Sequence, residues 1–137
     1  MSKLKVLVSG IHYPLSMMSY FIRALQRRED VELYTCGPFT GNLIPWNFGL
    51  VIPEKYVYVP AVPLGQESIY AQGMPWELVE NKLPDDLDLV LEVDSGWHFK
   101  TKPKCRVNVL VQTDPHVLNY DEIRSRVDFS FCMQTPY

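Results

Sequence analysis

Short apolar runs that end at glycine or proline, interrupted early by one helix-patterned stretch, limit the folds open to this chain more than any other feature. Leu4–Ser9 (LKVLVS) is rich in Leu and Val and stops at Gly10, the pattern of a buried strand followed by a tight turn. From Pro14 onward, Met18, Phe21, Ile22 and Leu25 recur at i, i+3, i+4 and i+7, while Arg23, Arg27, Arg28 and Glu29 fall largely opposite. That spacing predicts an amphipathic helix with Pro14 in its first turn. Val31–Cys36 (VELYTC) predicts a second strand, ended by Gly37 and Pro38. Further on, Leu87–Val93 (LDLVLEV), Arg106–Gln112 (RVNVLVQ) and Val127–Met133 (VDFSFCM) predict three more strands. Pro75–Leu83, with Trp76, Val79 and Leu83 inward, and Pro115–Arg124 predict short helices between them.

Strands that alternate with helices are joined by right-handed crossovers, which set the strands side by side in a parallel sheet covered on both faces. The expected fold is therefore α/β, a Rossmann-like three-layer sandwich with a mainly parallel five-stranded sheet. A chain of 137 residues suits one such domain, spanning 1–137. The stretch 37–72 departs from the pattern: six of the eleven prolines lie from Pro38 to Pro75, among Trp46, Phe48, Tyr56, Tyr58 and Tyr70. It is too aromatic for a disordered linker, and long excursions in compact domains are usually functional. The expectation is an ordered excursion with a short strand at Lys55–Val59, forming one wall of a pocket or covering a sheet edge.

Several classes are disfavoured. A net charge of −3 and a pI near 5.5 provide no positive field for a phosphate backbone, so nucleic acid is not an expected partner. No apolar run approaches the roughly 20 residues of a membrane span, and the apolar stretch after Met1 is too short for a secretory leader, so the expected compartment is the cytoplasm. Cys36, Cys105 and Cys132 are odd in number and far apart, which speaks against a disulfide framework, and no CxxC pair occurs. GxGxxG, GxxxxGK[ST] and GxSxG are also absent. Lys100, Lys102, Lys104 and Arg106 alternate beside Pro103 and read as a solvated connection to the opposite edge of the sheet.

In an open parallel sheet, ligands bind in the crevice outside the carboxyl ends of the strands. The turns expected there contain Ser9, Gly10, His12 and Tyr13 after the first strand, and Asp94, Ser95, Gly96, Trp97 and His98 after the third. After the fourth come Thr113, Asp114 and His116. All three histidines of the chain fall in these turns. Imidazole exchanges a proton near neutrality, and a nearby carboxylate fixes its tautomer and raises its basicity; His116 with Asp114, and His98 with Asp94, offer that pairing. The competing explanation is structural: polar residues collect in loops, and Asp114 can cap the following helix. No HxH or HExxH spacing occurs, so no metal site is expected. Gly10 permits close backbone approach, and Ser9 and Gly10 are the candidates for phosphate contact at the helix start, although steric need explains a glycine there equally well.

The segments KVLVSGIHYPLSMMSYFIRALQR, VELYTCGPF, LDLVLEVDSG and VQTDPHVLNYDEIRSRVDFSFCMQTPY together resemble the amino-terminal half of GT-B glycosyltransferases. More narrowly, they look like the family-4-like and CgeB-like group. The likeness spans nearly the whole chain, with Thr113–His116 and Val127–Phe131 at the positions of an Asp-x-His-like turn and an F-D-x-x-F type strand. It implies a domain that binds a small-molecule or glycan acceptor, with no cofactor of its own and a nucleotide sugar as co-substrate of the full enzyme. His116 and His12 would then polarise an acceptor hydroxyl, with Asp114 as orienter, and Tyr13, Asp94–His98 and Thr113 would contact substrate. It also implies a second, donor-binding domain that is missing beyond Tyr137, leaving a truncated and inactive unit. Apolar surface left open near the last strand would offer a route to a homodimer. The alternative function class is a standalone flavodoxin-like or receiver-like binding or regulatory domain without catalysis.

Overall fold

The computed structural model describes residues 2–10, 16–38, 56–59, 75–94, 98–112 and 120–132. Among the described residues, six strands form one sheet in which every pairing is parallel. They are β1 (Leu4–Gly10), β2 (Val31–Pro38), β3 (Tyr56–Val59), β4 (Leu89–Asp94), β5 (Val107–Gln112) and β6 (Phe129–Cys132). Their order across the sheet is β3-β2-β1-β4-β5-β6. All five expected strands are present, and the short one expected inside the excursion joins the edge beyond β2. The rest of that excursion, with its proposed pocket wall, lies outside the described residues.

Helix α1 (Met17–Gln26) connects β1 to β2. Its start is set by Ser16, whose Oγ accepts a hydrogen bond from the Ser19 amide at 3.2 Å, satisfying one of the free N–H groups of the first turn. The helix thus begins at Met17, later than the periodicity from Pro14 alone predicts. Met18 and Ile22 pack on Val6, Val8 and Val93, with Phe21 and Leu25 at the margin, which accounts for the apolar stripe read in the sequence.

The opposite face of the sheet carries Leu7, Cys36 and Val90, which pack with Trp76, Val79, Leu87 and Phe99. Trp76 meets Phe99 edge-on at a centroid distance of 5.2 Å, a favoured aromatic geometry. The expected short helix over Pro75–Leu83 is instead two 3₁₀ turns, Trp76–Leu78 and Glu80–Lys82. Val79 between them departs from helical geometry at φ −122°, a break that lets both Trp76 and Val79 enter the core, 3% and 2% exposed.

Helix α2 (Tyr120–Arg126) connects β5 to β6. The step from β1 to β2 runs one way along the sheet and the step from β5 to β6 runs the other, so crossovers of one hand place α1 and α2 on opposite faces. The side-chain contacts agree, because Arg124 and Arg126 reach Gln112 and Glu92 on the Trp76 face. The fold is a Rossmann-like three-layer α/β sandwich. The α1 layer covers β1, β2 and β4 but leaves Phe129 and Phe131 of β6 exposed. The basic residues Lys100, Lys102, Lys104 and Arg106 are all exposed, as expected for a connection returning to the amino ends of the strands.

Candidate functional site

The strand order reverses between β1 and β4. From β1 the chain moves outward to β2 and β3, then returns across the sheet to continue through β4, β5 and β6. Connections that diverge from two neighbouring strands leave a crevice above their carboxyl ends, the usual ligand position in open α/β sheets. The register defines its floor: Gly10 pairs with Val93, Asp94 with Gln112, and Ser9 with both Cys36 and Glu92. Gly10 and Asp94 therefore share one rim, as the sequence predicts, and Gln112 joins them.

Packing at that notch requires two glycines. A Cβ on Gly10 would come within 2.8 Å of the Val93 carbonyl oxygen and 3.3 Å of the Met18 sulfur. Gly37 has φ +143° and lies so close to Gly10 that a Cβ there would overlap the Gly10 carbonyl, a conformation and an approach that only glycine tolerates cheaply. The steric account of Gly10 is thus sufficient by itself.

Of the other predicted residues, Ser9 is fully buried and His98 is 7% exposed. By strand alternation Ser9 shares the Trp76 face with Glu92, beneath the rim rather than open to it. His12, Tyr13, Ser95, Gly96, Trp97, Thr113, Asp114 and His116 lie outside the described residues, as does the side chain of Asp94. No group of three or more His, Cys, Asp or Glu side chains suited to a metal ion occurs among the described residues.

Directly below the rim the fold assembles a polar cluster that the sequence reading did not single out. Glu92 of β4 is fully buried, and its carboxylate accepts four hydrogen bonds. Arg126 forks onto both oxygens at 2.7 Å each. The Phe99 amide donates to Oε1 at 2.8 Å, and Asn108 Nδ2 donates to Oε2 at 2.8 Å. Beside it, Arg124 donates to Gln112 Oε1 at 2.8 Å. A carboxylate so fully engaged has no lone pair facing a substrate proton, so this is a holding group rather than a general base. The sequence carried one signal for it: Glu92, an acid interrupting the apolar run LVLEV of β4, which demands a partner if its face is buried.

The amino ends of the strands are held differently, by exposed ion pairs. Lys5 meets Asp86 at 2.6 Å and Lys102 meets Asp128 at 3.3 Å. The backbone amide of Asn108, with Lys102 in support, holds the Asp128 carboxyl below its ordinary range. A cavity of about 350 Å³ lined by Trp76, Pro84, Asp85 and Lys104 also lies at this end, away from Gly10 and the crevice. Burial raises the thiol of Cys36 to about 12 and that of Cys105 to about 11, so neither is poised as a nucleophile. No helix among the described residues is long and apolar enough to cross a membrane.

Compared with family models, with curated proteins and with solved structures, the chain matches none of them.

Proposed function

We propose that this Rossmann-like domain is the acceptor-binding half of a nucleotide-sugar-dependent glycosyltransferase and acts at the crevice above β1 and β4. The observation that carries the reading is the reversal of strand order between those strands, with Gly10 and Asp94 on its rim, in a chain whose segments resemble the amino-terminal half of GT-B enzymes. On this reading the chain binds a small-molecule or glycan acceptor. A second domain supplies the nucleotide sugar and covers apolar surface such as Phe129 and Phe131.

The chemistry required of this half is limited. An acceptor hydroxyl must be held near the anomeric carbon of the donor and must lose its proton as the new glycosidic bond forms and the nucleotide leaves. His116 or His12 takes that proton, with Asp114 orienting the imidazole, while Tyr13, Asp94–Trp97 and Thr113 contact the acceptor. Ser9 and His98, being buried, act from beneath by supporting the rim. Gly10 keeps the backbone low enough for a ligand to approach.

The competing flavodoxin-like or receiver-like reading predicts a sheet ordered 2-1-3-4-5. Five of the strands, β2-β1-β4-β5-β6, run in that same order, and the four-residue β3 beyond β2 extends it to 3-2-1-4-5-6, the order of Rossmann sheets; the added edge strand is what speaks for the first reading.

Titration followed by amide chemical shifts tests the proposal. Soluble mono- and oligosaccharides are expected to move the resonances of Ser9, Gly10, Val93 and Gln112, and His116→Ala is expected to weaken that response without lowering the melting temperature. The isolated chain is expected to transfer no sugar. Turnover of nucleotide sugars by this chain alone, or rim shifts produced by flavin mononucleotide and by no saccharide, would overturn it.

A further inference from the structure

We propose that Glu92 is a positioning residue that ties two connections of the fold into one mechanical unit beneath the proposed acceptor crevice. The inference rests on the proposed function only for the purpose of that unit. The coupling itself stands on hydrogen bonds that exist whatever the crevice binds.

Two connections leave the carboxyl rim and return onto the Trp76 face of the sheet. One leaves β4 and returns at His98 and Phe99; the other leaves β5 and returns as α2. Each return is tied to the same carboxylate. The Phe99 amide donates to Oε1 at 2.8 Å, and Arg126, at the end of α2, donates to both oxygens at 2.7 Å. Asn108 on β5 completes the set through Oε2 at 2.8 Å. Arg126 is itself only 13% exposed at its side chain and Glu92 not at all, so water cannot replace either partner without opening the packing.

The arrangement makes the two returns interdependent. If α2 lifts, the buried Glu92 carboxylate loses its counter-charge and is drawn toward water, and the charge-assisted bond to Phe99 weakens. If the Phe99 segment moves away, Glu92 loses a donor and holds Arg126 less well. A global core residue does not couple these positions in that way, because its loss loosens the whole sheet together. A second tie, Arg124 to Gln112, joins α2 to the last residue of β5 through a different acceptor, and so provides an internal comparison.

Native-state amide hydrogen exchange on the intact chain tests the coupling. Arg126→Lys, which keeps the charge but cannot fork, and Arg126→Met, which removes it, are compared with Arg124→Ala and with Val8→Ala in the α1-side core. The expected result is graded. Phe99 exchange rises in Arg126→Met, by up to the roughly 10- to 100-fold that complete loss of a hydrogen bond to a charged group would give, and by a smaller factor in Arg126→Lys. Arg124→Ala should leave Phe99 unchanged, and Val8→Ala should raise exchange evenly across the sheet.

Phe99 exchange unchanged in both Arg126 variants, or a pattern matching that of Val8→Ala, would overturn the coupling. Should Arg126→Met fail to fold, the Arg126→Lys comparison decides alone. Absence of saccharide binding with the exchange coupling intact would instead count against the proposed function and leave this inference standing.

Discussion

Replacing Arg126 with Met in the intact chain should cost far more than the loss of one surface charge, because the group left behind is a fully buried carboxylate. Glu92 would retain only the Phe99 amide and Asn108 Nδ2 as donors, two neutral groups in place of a bidentate guanidinium. Removing one partner of a buried ion pair typically costs about 3–5 kcal/mol, a large share of the 5–15 kcal/mol that holds an average domain together. For a chain of this size that corresponds to a fall in melting temperature of roughly 10–20 °C.

The double variant Glu92→Met/Arg126→Met should recover part of the loss, since an apolar pair no longer buries a lone charge. Recovery should be incomplete, because the Phe99 amide then loses its Glu92 acceptor at about 1–3 kcal/mol, while Asn108 Nδ2 keeps only its longer bond to the Val90 carbonyl at 3.5 Å. Urea denaturation of the wild type, both single variants and the double variant closes the cycle and isolates the coupling. Added salt should rescue little, as buried pairs are weakly screened. An Arg126→Met cost below about 1 kcal/mol, the range of exposed pairs, or additivity of the two single costs, would refute the reasoning.

Other perturbations have equally definite outcomes. Gly37→Ala places a methyl against the Gly10 carbonyl at φ +143° and should destabilise the fold more than Gly10→Ala, for which overpacking against Val93 predicts roughly 1–3 kcal/mol; thermal melts of the two variants rank them. Thiol labelling at neutral pH should modify exposed Cys132 first, Cys105 slowly, and Cys36 only on unfolding, given burial and thiols raised to about 11 and about 12; rapid modification of Cys36 in the folded chain would contradict its burial. The folded pKa of Asp128 is depressed. Its stabilising contribution is therefore present above the unfolded value of about 3.9 and lost as pH falls through the folded value, so Asp128→Asn should flatten the acid limb of the stability profile.

Much of the layout was legible because strands and amphipathic helices announce themselves through local periodicity. LKVLVS, VELYTC and RVNVLVQ each read as a strand on their own, and the stripe Met18, Phe21, Ile22 and Leu25 identified α1 and its buried face. Boundaries moved where local chemistry outweighed periodicity, as at the Ser16 cap. The PWELVENKL stretch matched a helical period but resolved into two 3₁₀ turns, because burying Trp76 and Val79 together required a break at Val79. Three cysteines with no fixed spacing already argued against disulfides, and Cys36, Cys105 and Cys132 form none.

Sequence alone, then, determined the class of the fold, the parallel direction of its strands and the rim at which Gly10 and Asp94 meet, since these follow from periodicity and from the handedness of short connections. Tertiary structure decided the rest: the seat of β3 beyond β2, the near-contact of Gly10 with Gly37, and the burial of Glu92. Glu92 and Arg126 are 34 residues apart, and nothing local to either one identifies its partner. A charge in an apolar strand states only that a counter-charge is needed. Which residue answers it depends on where the chain, folded through α2, comes to rest against the sheet.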